Sequence, residues 1–217
     1  MAKIIMKKKI RSILERILNL INVHPDTNQK YILMSLFVSG LLMTYCGPIF
    51  TKTVITLLPA EWIAFESLFS SISGLLIGMA WQGNIRLKII NNFLLFVIAE
   101  CTAGFLTASY LCFIQFNVWV YAIATLIYGS LVCTMVSKCI MAFKPKLWTE
   151  KGREIYDNNS SIVSGIYCIL GFSAALLFMP TLKTALFLWA ICCIIDDIGW
   201  IIVYTKNKKI LIEDKAV

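Results

Sequence analysis

The sequence predicts an all-α membrane protein, on three observations: six apolar runs long enough to cross a bilayer, short polar segments between them, and an uneven distribution of lysine and arginine. Of 217 residues, 59% are hydrophobic and 15% charged, with a mean hydropathy of +0.79, well outside the composition of a soluble domain. A hydrocarbon core of about 30 Å needs roughly 20 apolar residues per helix, because lipid offers peptide groups no hydrogen-bond partners. The runs fall at 31–51, 62–81, 89–113, 118–141, 161–180 and 184–205, the first extending as far as Leu58. They divide the chain into an N-terminal cytoplasmic segment at 1–26, a six-helix domain at 27–205 and a cytoplasmic tail at 206–217.

Ahead of the first span, Ile10, Ile13, Leu14, Ile17, Leu18 and Ile21 recur at helical spacing, while Lys9, Arg11, Glu15 and Arg16 take the opposite side. No uninterrupted apolar stretch with a small-residue cleavage site follows, so this is a basic amphipathic helix and not a signal peptide. Its expected place is the cytoplasmic membrane surface, beside anionic headgroups.

Basic residues near helix ends are retained on the cytoplasmic side. With the N-terminus inside, that side holds the N-terminal cluster, Arg86 and Lys88, the Lys144 to Arg153 group and the C-terminal lysines, whereas Lys52 and Lys183 fall outside. Both termini are therefore expected in the cytoplasm. The net charge of +8 is a topology signal, and nucleic acid is not an expected partner. The eight cysteines lie within the spans without C-x-x-C pairing, so they read as small apolar residues, with no metal, cofactor or disulfide framework expected.

In the second span Ser70, Gly74 and Gly78 recur every four residues and put small side chains on one face, where another backbone can approach. Ser164, Gly165 and Gly171 form a comparable set in the fifth, entered from Asn158 and Asn159, which are capping types. The segment 142–160, with Pro145 and mixed charges, is expected to be a solvated loop.

Carboxyls inside spans are the residues that carry chemistry, since a charge at mid-membrane costs about 2.5–3.5 kcal/mol on insertion scales. Glu100 falls near the centre of the third span, Asp196 and Asp197 near that of the sixth, and Glu66 toward the outer end of the second. Each is a candidate for proton or substrate binding, or else a structural carboxyl bonded to a neighbouring helix. Asp196 and Asp197 point about 100° apart on one helix. No Gly-x-Ser-x-Gly, His-Glu-x-x-His or phosphate-binding loop occurs, and the single histidine, His24, precedes the first span. Catalysis is not expected.

Three places resemble the major facilitator superfamily, specifically the amino-terminal six-helix half of its drug exporters. The segment from Gly78 to Lys88 is similar to that family's G-x-x-x-D-R-x-G-R-R/K connection between helices two and three; Gly78, Arg86 and Lys88 fit, while Gln82 and Gly83 stand where Asp and Arg are expected. The stretch from Arg153 through Asn159 to Gly171 resembles the entry to the fifth helix, and Ile195-Asp196-Asp197-Ile198-Gly199-Trp200 resembles the I-D-A-x-x-F region of the sixth. The resemblance implies a half-facilitator-like bundle, proton-coupled alternating access, a gating connection at Gly78, Gln82, Arg86 and Lys88, and a second body covering helices two and five.

The expected function is export of, or resistance to, a small molecule or peptide by a half-size transporter acting as a dimer. The alternative is a non-transporting interaction protein, an immunity factor or accessory subunit bound to another membrane protein. A third class, a vitamin-binding subunit of an energy-coupled importer, fits the size but brings no binding motif. The expected location is the bacterial inner membrane.

Overall fold

A computed structural model describes residues 26–212. The amphipathic helix expected in the N-terminal segment lies outside the described residues, which take in only that segment's final residue, Asp26. Among the described residues there is no strand, and six helical spans are long and apolar enough to cross a membrane.

The first span is α1 (Thr27–Leu57), started by Asp26, whose carboxylate accepts from the Gln29 N–H at 2.8 Å. The second is α2 (Glu61–Ala80). A short α3 (Gly83–Asn91) leads into the third, α4 (Phe93–Phe113). The fourth span comprises α5 (Val118–Ile127), a π-helical turn (Tyr128–Val132) and α6 (Cys133–Leu147). The fifth is α7 (Glu150–Leu177); the sixth is broken at Asp196–Asp197 into α8 (Leu182–Ile195) and α9 (Ile198–Ile212).

The structure corrects the expected solvated loop at 142–160. Helix α6 continues through Pro145 to Leu147, and α7 begins at Glu150, capped by the Thr149 hydroxyl accepting from the Gly152 N–H at 3.3 Å. Pro145 sits in the last turn, where the missing N–H interrupts the hydrogen bonds only two residues before the helix ends. Asn158 and Asn159 are therefore interior to α7 and not caps, and Asn159 is buried.

Spans one and five pack together, as do four and two; spans one and six pack, as do four and three; and three packs on six. Exchanging the first three spans for the last three maps these five pairings onto themselves, although span four also packs on six and touches five without an equal contact of one on three or two. Spans two, four, one and five form a row, with three and six across its back. The sixth span has 50% of its most apolar stretch buried, against 11% for the second and 17% for the fifth, so two and five are the flanks.

Glycines mark the closest internal approaches. A Cβ on Gly199 would lie 2.6 Å from the Ile32 Cα and the Tyr31 carbonyl, and one on Gly171 would lie 2.8 Å from the Thr44 Cβ. These positions let α9 and α7 seat against α1.

Two apolar clusters fill the bundle. One is built around Phe93, Phe143 and Tyr204, whose rings lie 5.0–5.7 Å apart, with Val97, Val136 and Trp200. The other holds Cys46, Phe50, Ala108, Leu186 and Trp189. Between them, at mid-height on spans one, three, four and six, comes a layer of polar residues.

Candidate functional site

The polar layer is assembled from four helices. On α1 the spacing of Ser35 and Ser39 puts both on the buried face, below Cys46 and Phe50. On α4, Glu100 lies between Val97 and Gly104 on the buried face and is 4% exposed. The π turn contributes Tyr128 and buried Ser130, and Cys133 follows it. In α8 and α9 the break supplies Asp196 and Asp197, the latter 8% exposed.

Two donor–acid couples tie this layer together. The Ser39 hydroxyl donates to Asp196 Oδ1 at 2.6 Å, and the Cys133 thiol donates to Glu100 Oε1 at 2.9 Å. The first joins spans one and six, the second four and three, so the exchange that relates the packing pairs also relates the two couples. The Cys192 thiol donates to the Ser39 carbonyl at 3.2 Å, closing the first couple from the other side.

Glu100, Asp196 and Asp197 are electrostatic neighbours of one another, and Tyr128 neighbours Glu100, Cys133, Cys193 and Asp196. Glu100 Oε2 is buried with no hydrogen-bond partner. No described lysine or arginine forms an ion pair with any of the three carboxyls. Glu100 and Asp197 are buried with no cation beside them, an arrangement that suits a proton or a cationic group, whereas Asp196 is exposed. The π turn beside this layer widens the fourth span locally, a distortion found often at functional sites.

Of the four carboxyls singled out in the sequence, Glu100, Asp196 and Asp197 come together, with Asp196 turned outward and Asp197 inward on either side of the break. Glu66 stands apart, exposed in the second turn of α2, an electrostatic neighbour of Tyr121 on α5. Ser39, Tyr128 and Cys133 were not singled out. The repeat of serines at Ser35 and Ser39 marks the face of α1, whereas nothing in sequence distinguishes Cys133 from the other seven cysteines, all free thiols.

The connection between spans two and three is mostly the short helix α3, entered through Trp81 and Gln82. Gln82, Arg86 and Lys88 are exposed, and among the described residues neither Arg86 nor Lys88 forms an ion pair. The small-residue set of α2 faces outward: Ser70 is exposed, and a Cβ on Gly74 or Gly78 would meet nothing. In α7 the set divides, Gly165 being open and Gly171 packed on α1, with Ser164 half-buried.

Among the described residues, no group of three or more His, Cys, Asp or Glu is placed to hold a metal ion. Comparison with known proteins returns no matching family model, no matching curated protein and no matching solved structure.

Proposed function

We propose that this chain is a six-helix, facilitator-like transporter that moves a small molecule or peptide across a bacterial inner membrane, with both chain ends in the cytoplasm and two copies forming the working unit. The observation that carries the reading is the mid-height layer in which Glu100 and Asp197 are buried without a cation partner, and Glu100 and Asp196 are bonded across helix pairs that would have to slide in a rocking motion. Intramembrane carboxyls facing the bundle interior mark ion or proton pathways. The main pairings of spans one to three with four to six also support it, being those expected of two three-helix repeats of inverted topology. The open Gly74, Gly78 and Gly165 notches on the flanking spans supply faces for the second copy.

The test is proton movement in proteoliposomes carrying a pH-sensitive dye, together with growth protection of expressing cells against a panel of toxic compounds and peptides. Wild-type protein should couple protection to the proton gradient, and Glu100→Gln and Asp196→Asn should abolish both at equal expression. Full activity in both variants would remove the proton-coupled reading.

The second reading is an immunity factor or accessory subunit, favoured by the same open notches on α2, which accept a different membrane protein as readily as a second copy. It predicts protection or complex formation that survives both substitutions and dissipation of the gradient.

A further inference from the structure

The π turn of the fourth span brings two side chains to one carboxyl. The Cys133 N–H bonds to the carbonyl of Tyr128, five residues back. This spacing sets the two residues one above the other, whereas five residues of α-helix would turn them about 140° apart. The Cys133 thiol donates to Glu100 Oε1 at 2.9 Å, and Tyr128 has Glu100 and the Cys193 thiol as polar neighbours.

Helix α4 is shaped to receive the tyrosine ring. Gly104 lies one turn beyond Glu100 on the buried face, and a Cβ there would come within 2.6 Å of Cys193 Sγ and 3.3 Å of Tyr128 Cε2. The ring and the thiol therefore converge in the notch that this glycine leaves. Glu100 is 4% exposed, and its Oε2 is buried with no hydrogen-bond partner. In a neutral carboxyl that oxygen carries the proton; a carboxylate buried there without a donor is strongly disfavoured. The titratable neighbours of Glu100 are Cys101 on its own helix, Tyr128 and Cys133 on the fourth span, and Cys193, Asp196 and Asp197 on the sixth. None of these side chains is a cation, so among them only hydrogen-bond donors can hold the charged form.

We propose that Tyr128 is a positioning residue for Glu100: its hydroxyl faces the Cys193 sulfur while Glu100 is neutral and turns to Oε2 when Glu100 is charged. The buried carboxylate then holds a donor on each oxygen, the Cys133 thiol on Oε1 and the Tyr128 hydroxyl on Oε2. The proton that leaves Glu100 passes to water, while the tyrosine proton stays on its own oxygen throughout. The inference deepens the proposed function and rests on its reading of Glu100 as a proton site: it makes a proton, and not a cationic group, the species that Glu100 exchanges.

The experiment is infrared difference spectroscopy of the full chain in lipid particles across a pH titration, with the Glu100 bands identified as those lost in Glu100→Gln. Tyr128→Phe should leave the carbonyl band of neutral Glu100 in place, because Cys133 supplies the donor on Oε1, and should shift the carboxylate band. In the wild-type chain the C–O stretch of Tyr128, assigned with isotope-labelled tyrosine at that position, should shift as Glu100 ionises and stay fixed in Glu100→Gln. This second readout decides the matter if Tyr128→Phe does not fold. A carboxylate band unmoved by Tyr128→Phe, a tyrosine band that ignores the state of Glu100, or a Glu100 that stays neutral across the titration overturns the inference. No readout here requires transport. A chain with the expected spectra that moves no proton in proteoliposomes loses the transport reading alone, and one that transports through Glu100 with an unmoved tyrosine band loses this inference alone.

Discussion

The Ser39 hydroxyl, on the first span, donates a 2.6 Å hydrogen bond to the Asp196 carboxylate at the break in the sixth. The residues are 157 positions apart in sequence, and their bond holds the first helix to the last at mid-height, as the Cys133–Glu100 bond holds the fourth to the third. Hydrogen bonds between membrane helices contribute about 0.6 kcal/mol on average and up to about 1.7 kcal/mol. Ser39→Ala should therefore lower unfolding stability by an amount in that range, with a double-mutant cycle against Asp196→Asn showing coupling of the same size. Additive effects of the two substitutions would show that the bond does not hold the helices together.

The thiol at Cys133 is expected to behave as a donor and not as an apolar filler. Cys133→Ser should retain gradient-dependent protection in the assay above, while Cys133→Ala should reduce it without changing the amount of folded protein. Equal behaviour of the two variants would reduce Cys133 to packing.

Glycine substitutions should divide by location. At Gly199 or Gly171 an added methyl would press on α1, and overpacking of this kind costs about 1–3 kcal/mol, so Gly199→Ala and Gly171→Ala should lower the midpoint of thermal unfolding. At Gly74 and Gly78 the space is open. Alanine there should leave a single chain as stable or raise stability by up to about 1 kcal/mol, from helix propensity alone.

The same open notches make a prediction about assembly. Gly74→Leu combined with Gly165→Leu should convert a pair of copies to single chains, measured as particle mass after extraction in native lipid. A mass of one chain for the wild type would remove the two-copy unit, and a pair that survives both leucines would place the contact elsewhere.

At the basic end of the bundle, Lys206 donates to the Tyr31 hydroxyl at 3.1 Å and lies 4.2 Å from the centre of its ring. Both groups are near the surface, where such cation–π contacts contribute about 0.5–1 kcal/mol. Lys206→Gln should reduce stability by no more than that, and a larger loss would reveal a further partner for the lysine.

Composition and run length by themselves determined the all-helical, six-span architecture, because a bilayer forces every peptide group into a helix of fixed minimum length and leaves the sequence few alternatives. They also picked out Glu100, Asp196 and Asp197, since a carboxyl inside an apolar run is visible in one dimension. Tertiary structure alone decided that these three meet, that Glu66 does not join them, and that Ser39 and Cys133 are their partners, because contacts over separations of 33 and 157 residues depend on which helices pack and on how each is rotated. The extent of α6 and α7 was hidden for a related reason: Pro145 and the surrounding charges look like a loop, yet proline in a last turn removes few hydrogen bonds and charged residues are stable on a helix that projects beyond the apolar layer.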